Sequence, residues 1–137
     1  MLKILIVDDS LIIRKKITTI VEKLGHKVVG QATTGQEAID IYENVQPDLV
    51  TMDITMPDMN GITAVKHIMK INTNAKIIMV TSLGQEDMVI DSIKAGAIGY
   101  MLKPITDEKL AEIIGEVFLE YAYDENEDDL ELSDDDL

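Results

Sequence analysis

The sequence contains no cysteine and no tryptophan, and its aromatic residues are limited to four tyrosines and one phenylalanine. The absence of cysteine excludes disulfide bonds and metal sites built on thiolates. The scarcity of aromatic rings argues against a flavin-binding electron carrier, because such a protein needs aromatic side chains around the flavin ring. What chemistry the chain performs must therefore depend on other residue types.

Long apolar runs are also missing. The longest stretches are a few residues, far short of the roughly 20 that a membrane-spanning helix needs. The N-terminus runs directly into a strand-like segment, so we expect no signal peptide and no direct membrane insertion. These features predict a cytoplasmic protein. A length of 137 residues predicts one folded domain.

Basic residues are few, with 12 lysines and arginines against 26 acids and a formal net charge of −14. Nine of the acids lie in residues 124–137, which contain no basic residue, so residues 1–123 carry only −5. Such a surface repels a phosphate backbone, which argues against nucleic-acid binding. We predict a folded domain over residues 1–123 and an acidic, mobile tail over 124–137. Leucines within the tail leave docking onto a basic partner open.

Two kinds of apolar segment alternate along residues 3–123. Short, nearly continuous runs predict strands buried on both faces, at residues 4–7, 28–29, 49–52, 77–80 and 100–102. Between and after them lie five segments with helical spacing, the fourth at about 86–95 and the last with an apolar stripe from Leu110 to Tyr121. Ser10 is a predicted N-cap, Thr34 and Glu37 have the spacing of a capping box, and Thr106 precedes two acids at the start of the last helix. The alternation predicts an α/β fold with one parallel sheet covered by helices on both faces.

Polar residues with complementary chemistry follow four of the five predicted strands. Asp8 and Asp9 end the first strand, Asp53 the third, Thr81 the fourth and Lys103 the fifth. Ligands of such sheets bind beyond the carboxyl ends of the strands, so these side chains should share one edge. Crowded carboxylates without nitrogen or sulfur ligands favour a hard cation such as Mg²⁺. The lysine and the hydroxyl are suited to hold a phosphoryl group beside a carboxylate.

Several short segments carry a family resemblance. They are Asp8-Asp9-Ser10, the run MDITMPDMNG at 52–61, Val80-Thr81-Ser82, Ala95-Gly96-Ala97 and Lys103-Pro104. In this order, over roughly residues 2–122, they resemble response-regulator receiver domains, specifically the stand-alone chemotaxis (CheY-like) kind. The resemblance implies a doubly wound, flavodoxin-like sheet of strand order 2-1-3-4-5.

The resemblance also implies roles for the polar residues at the strand ends. Asp53 would accept a phosphoryl group from the phosphohistidine of a sensor kinase. Asp9, Asp53 and the backbone carbonyl of Thr55 would coordinate Mg²⁺, with Asp8 acting mainly through water. The chain would therefore catalyse at most its own phosphorylation and dephosphorylation, and would not be an enzyme in the usual sense.

A second set of residues would convert phosphorylation into a change of shape. By the same resemblance, Lys103 would pair with the phosphoryl oxygens and Thr81 would move in to donate a hydrogen bond. Tyr100 would then fill the vacated space, and the Lys103–Pro104 bond would be cis. The expected partners are a chemotaxis-type (CheA-like) histidine kinase, a phosphatase, and a motility-apparatus protein or adaptor. The last would bind the monomer on helix four, strand five and helix five.

Two other functions stay open at this stage. A single-domain phosphorelay intermediate would use the same site and pass its phosphoryl group to a second histidine. A phosphatase with an aspartyl-phosphate intermediate would often place an acid two residues after the nucleophile, where this chain has Thr55, and the chain lacks an obvious cap domain. Thr55 and Leu83 also depart from some family members, so we expect a different rate of self-dephosphorylation. His26 and His67 are predicted to face solvent.

Overall fold

A computed structural model describes residues 1–121, and the predicted acidic tail lies outside the described residues. The strands are β1 Lys3–Val7, β2 Lys27–Ala32, β3 Leu49–Met52, β4 Ile77–Thr81 and β5 Gly99–Leu102. The helices are α1 Leu11–Lys23, α2 Gly35–Val45, α3 Gly61–Ile71, α4 Glu86–Ala95 and α5 Asp107–Val117, followed by a 3-10 turn at Leu119–Tyr121. All paired strands are parallel, in the order β2-β1-β3-β4-β5. The predicted doubly wound sheet is confirmed.

Side chains alternate along the strands between two apolar layers. In β1, Leu5 and Val7 pack with residues of α2 and α3, whereas Ile4 and Ile6 pack with residues of α1 and α5. This alternation is the two-residue period of a strand, and burial on both faces explains why the central strands are apolar throughout. Among residues 1–121, no helix is both long and apolar enough to cross a membrane.

The caps predicted at Ser10 and Thr34 are present, and Thr106 caps α5 in the same way. The side chains of Ser10, Thr34 and Thr106 each accept a hydrogen bond from the backbone N–H three residues later. The carboxylate of Glu37 accepts from the N–H of Thr33, one residue before the position that a capping box would use. These bonds fix where α1, α2 and α5 begin, and therefore fix the loops that precede them.

The prediction for His26 is wrong. Its side chain is buried, and its Nδ1 accepts a 3.1 Å hydrogen bond from the N–H of Leu2. The ring lies edge-on to Tyr121, with centroids 4.8 Å apart. Burial and the nearby N-terminal charge lower the pKa of His26. The local sequence around His26 gives no sign of this burial, because both partners come from distant parts of the chain. His67 is exposed, as predicted.

The stripe that was expected to continue as helix to Tyr121 is interrupted. Helix α5 ends at Val117, and Phe118 has an extended backbone before the 3-10 turn begins. Phe118 and Tyr121 nevertheless pack against the layer formed with α1 and α5. The apolar pattern therefore predicted which side chains contact the core, while the change of backbone that lets them do so was not visible in it.

Thr51 offers a test of the core. Its side chain is buried in β3 between Ile6 and Ile78 of the neighbouring strands, and its hydroxyl has no hydrogen-bond partner among the described residues. Because Thr51→Val keeps the branched shape and removes an unsatisfied hydroxyl, we expect the free energy of unfolding to rise by about 1 kcal/mol. Urea denaturation measures this change. Thr51→Ser keeps the hydroxyl and deletes the methyl group, so it should be destabilising, and a less stable valine variant would contradict the prediction.

Candidate functional site

Three carboxylates meet at the carboxyl edge of the sheet. Strands β1 and β3 are adjacent, with Val7 opposite Met52, so the residues that follow them, Asp8 and Asp53, are brought together. One carboxylate oxygen from each of Asp8, Asp9 and Asp53 lies within 4.8 Å of the other two. Asp8 and Asp53 are buried, whereas Asp9 is exposed. The acids predicted at the strand ends therefore form one cluster, open to solvent on the side of Asp9.

Lys103 reaches this cluster from the end of β5. Its Nζ lies 3.0 Å from Oδ2 of Asp8 and 3.7 Å from Oδ1 of Asp53. Its backbone N–H donates to the carbonyl of Thr81, and the following peptide bond, to Pro104, is cis as predicted. The lysine is thus held by β4 through its backbone while its side chain bridges the two buried acids.

The charges in the cluster are not balanced. Burial raises the pKa of Asp53 to about 6, with a further contribution from the negative charge of Asp8 and an opposing one from Lys103. Three carboxylates share this cluster with one ammonium group, so a further positive charge nearby would stabilise them. A donor set of carboxylate oxygens, without nitrogen or sulfur, suits a hard divalent cation. The residues present fit a cation site of the Mg²⁺ kind.

The β1–α1 loop is held by a residue that the sequence did not single out. Nη1 of Arg14 donates a 2.8 Å hydrogen bond to the carbonyl of Asp8, and its Nε donates to Gln31 at 3.1 Å. The N–H of Ser10 donates to Oδ1 of Asp8 at 2.9 Å. Arg14 lies on the polar side of a helical pattern, where an arginine is usually solvated. Its role becomes visible only when β1, β2 and α1 are placed together.

The loop between β3 and α3 approaches Asp53 closely. The N–H of Gly61 donates to the carbonyl of Ile54 at 2.7 Å. A Cβ atom on Gly61 would lie 1.9 Å from the carbonyl oxygen of Asp53, so no larger residue fits without moving the backbone. Thr55 lies in this loop with its side chain exposed. The loop therefore turns back on the residue from which it starts, which fixes the backbone of Asp53.

Thr81 and Tyr100 are both hydrogen-bonded to the backbone of Leu83. The hydroxyl of Thr81 is buried and accepts a 3.2 Å hydrogen bond from the N–H of Leu83. The hydroxyl of Tyr100 donates to the carbonyl of the same residue. In this conformation the Thr81 hydroxyl is engaged with the β4–α4 loop. The two residues predicted to form a switch are thus connected through the backbone of Leu83.

Comparisons with known proteins agree on the family. The model of the response regulator receiver domain matches residues 4–115. The chemotaxis protein CheY of Thermotoga maritima is 49% identical over 115 residues, which are 84% of this chain and 96% of the relative. CheY of Bacillus subtilis is 48% identical over 112 residues, which are 82% and 93% of the two chains.

The solved structures give the same result for the fold. A crystal structure of the CheX–CheY–BeF₃–Mg²⁺ complex from Borrelia burgdorferi matches with a TM-score of 0.83 and 39% identity, over 85% of this chain and 88% of that one. The chain therefore belongs to the response regulator receiver family, and its relatives within that family include the CheY chemotaxis proteins.

Proposed function

We propose that this chain is a phosphorylation-dependent switch of a two-component chemotaxis system, with Asp53 as the phosphoryl acceptor. The observation that supports this function is the position of the Asp53 carboxylate, which is buried beside Asp8 and 3.7 Å from the ammonium of Lys103. The donor is the phosphohistidine of a chemotaxis-type kinase. The chain turns over no other substrate, and its own chemistry is limited to gaining and losing the phosphoryl group.

The transfer is a displacement at phosphorus. An oxygen of the Asp53 carboxylate forms a bond to phosphorus while the bond from phosphorus to the histidine nitrogen breaks, and the imidazole leaves with the electron pair. The product is an acyl phosphate. With a pKa of about 6, Asp53 is mostly ionised at neutral pH and is therefore available as a nucleophile. Lys103 is placed to pair with the oxygens of the transferred group.

The acid cluster is the proposed Mg²⁺ site. Asp9, Asp53 and the backbone carbonyl of Thr55 would hold the ion directly, and Asp8 would contribute through water. When bound, the cation supplies positive charge that offsets the negative charge of the phosphoryl oxygens. The imbalance of charge around Asp53 supports this assignment, as does the presence of Mg²⁺ in the crystallised complex of the Borrelia burgdorferi CheY.

Phosphorylation is proposed to act on the pair Thr81 and Tyr100. The Thr81 hydroxyl would leave the N–H of Leu83 and donate to a phosphoryl oxygen, and the ring of Tyr100 would follow. Two charge-assisted bonds, from Thr81 and Lys103, contribute about 1.5–3 kcal/mol each. To change the ratio of active to inactive conformations from 1:99 to 99:1 requires about 5.5 kcal/mol. A partner that binds the active conformation therefore completes the shift.

The face formed by α4, β5 and α5 is the proposed partner surface. It is next to Tyr100 and carries exposed apolar side chains, with Ile93 60% and Leu102 45% accessible. We propose that the monomer binds a motility-apparatus protein or adaptor there, in the cytoplasm and without nucleic acid. A phosphatase is a further proposed partner, and the crystallised complex of the Borrelia burgdorferi CheY with CheX shows that a relative binds a second protein. We propose that the receiver domain spans residues 1–123.

The function is tested by incubating the purified protein with acetyl phosphate, with and without Mg²⁺, and recording the intact mass. We expect a gain of one phosphoryl group that requires Mg²⁺. Because small donors can be selective, a phosphorylated kinase domain is the second donor. A lack of phosphorylation with both donors, or phosphorylation that is equally fast with a chelator present, would contradict the proposed switch.

Lys103 and a bound metal ion would compete for the same acids. Removal of the lysine should therefore have opposite effects on the affinity for Mg²⁺ and on the rate of phosphorylation. Lys103→Met removes the ammonium that lies 3.0 Å from Asp8 and 3.7 Å from Asp53. We expect Mg²⁺ to bind about two- to fivefold more tightly, because a like charge has been removed, while phosphorylation from acetyl phosphate becomes slower. Calorimetric titration with Mg²⁺ and intact mass against time measure both. Weaker Mg²⁺ binding in a folded variant would show that Lys103 supports the site in another way.

A further inference from the structure

The carboxylate of Asp58 joins the β3–α3 loop to the start of α2. Its Oδ1 accepts a 2.8 Å hydrogen bond from the N–H of Gly35, and its Oδ2 accepts a 2.9 Å bond from the N–H of Gln36. The N–H of Met59 donates to Oδ1 as well, at 2.8 Å. The first N–H groups of a helix have no partner within the helix and carry partial positive charge. Asp58, from a separate element, therefore satisfies two of them with a full negative charge.

A second contact between the same two segments is independent of Asp58. A Cβ atom on Gly35 would lie 2.3 Å from Cγ of Met59 and 2.8 Å from its sulfur. The side chain of Met59 therefore occupies the space that any other residue at position 35 would fill. The loop thus contacts the beginning of α2 through a hydrogen-bonded carboxylate and through a packed methionine.

The loop that is held in this way carries part of the functional site. It starts at Asp53 and includes Thr55, and at its other end Gly61 lies against the carbonyl of Asp53. Asp58 is three residues after Thr55, and the intervening Met56 packs against the core while Pro57 has a fixed φ. Movement of Asp58 away from α2 is therefore transmitted over a short and stiff piece of chain.

We propose that Asp58 is a positioning residue, which holds the β3–α3 loop against α2 so that the carbonyl of Thr55 is preorganised for the divalent ion. This inference rests on the proposed metal site. A ligand carbonyl that is already in place binds more tightly than one that must be ordered on binding. Coupling is reciprocal, so an ion at the acid cluster must also strengthen the contact of Asp58 with α2.

The test compares Mg²⁺ affinities by calorimetric titration at a temperature where every variant is folded. We expect Asp58→Ala to bind Mg²⁺ roughly fivefold more weakly than the unaltered chain, and Asp58→Asn, which keeps one acceptor oxygen, to lie between them. Gly35→Ala leaves the charge unchanged and displaces Met59, so it should also weaken binding. Asp40→Ala is the matched control, because it removes an exposed acid of α2 whose carboxylate accepts a hydrogen bond from the side chain of Gln36.

Amide hydrogen exchange supplies a measurement that a purely structural role would not change. Addition of Mg²⁺ should slow the exchange of the Gly35 and Gln36 N–H groups in the unaltered chain and in Asp40→Ala, but not in Asp58→Ala. If the Asp58 and Gly35 variants are less stable yet bind Mg²⁺ normally, the inference is wrong and Asp58 only stabilises α2. If the unaltered chain does not bind Mg²⁺, the proposed metal site itself is wrong, and the inference fails with it.

Discussion

Asparagine in place of Asp53 is expected to abolish phosphorylation and, without divalent ions, to make the folded protein more stable at neutral pH. The first effect follows because an amide cannot form the acyl phosphate. The second follows from the pKa of Asp53, which burial and the charge of Asp8 raise from 3.8 to about 6. A carboxyl group whose pKa is raised by folding costs no stability below its unfolded pKa. The cost grows as the pH rises from 3.8 to about 6 and is constant above that.

The expected gain for Asp53→Asn is about 1–2 kcal/mol at pH 7, after allowance for solvent screening where the cluster opens toward Asp9. At pH 3.5 most of the gain should be lost, because the carboxyl group is then protonated in the folded state and largely protonated in the unfolded state. Urea denaturation at the two pH values measures the difference, and Asp91→Asn, an exposed acid of α4, is the control for a simple loss of charge. Addition of Mg²⁺ at pH 7 should make the unaltered chain more stable than Asp53→Asn. A variant that is destabilised at pH 7 in the absence of metal would contradict this electrostatic explanation.

Alanine in place of Gly61 is expected to have the second large effect. Its Cβ would lie 1.9 Å from the carbonyl oxygen and 2.9 Å from the carbonyl carbon of Asp53, and neither backbone atom can move without moving the acceptor. We expect a loss of roughly 2–4 kcal/mol in the free energy of unfolding. In the protein that remains folded, phosphorylation should slow by about tenfold or more, because the displaced carboxylate no longer meets the donor correctly.

Gly84→Ala is the matched control for this substitution. Its Cβ would meet only the end of the Leu102 side chain, at 3.3 Å, which can adjust by rotation. We expect a change in stability of about 0.5 kcal/mol or less, and phosphorylation within about twofold of normal. Intact mass against time, together with urea denaturation, distinguishes the two glycines. Equal phosphorylation rates for both variants would show that the close approach at Gly61 does not position Asp53.

Much of the fold could be predicted because its signals are local. Continuous apolar runs marked the central strands, and the hydroxyl residues at 10, 34 and 106 marked where three helices begin. The cluster of Asp8, Asp53 and Lys103 followed from a topological rule, since the carboxyl ends of parallel strands meet at one edge. These predictions required only the order of the elements and no detail of side-chain packing.

The residues that the sequence did not reveal have contacts between distant segments. Arg14 and Asp58 bind backbone groups of other elements, and Lys109 donates to the carbonyls of Leu102 and Pro104 on either side of Lys103. Charged residues on helices and loops are usually solvated, so nothing local distinguishes these three. His26 was predicted wrongly for the same reason, because the groups that bury it come from both ends of the described chain.

The proposed function is tested most directly by transferring a phosphoryl group to the chain from the phosphohistidine domain of a chemotaxis-type kinase. The modified residue is then located by peptide mass spectrometry. If Asp53 is the acceptor, one phosphoryl group will appear on the peptide that contains it. Transfer will require Mg²⁺, and Asp53→Asn will remain unmodified. Modification of a different residue, or equal modification of the asparagine variant, would contradict the assignment of Asp53 and with it the proposed switch.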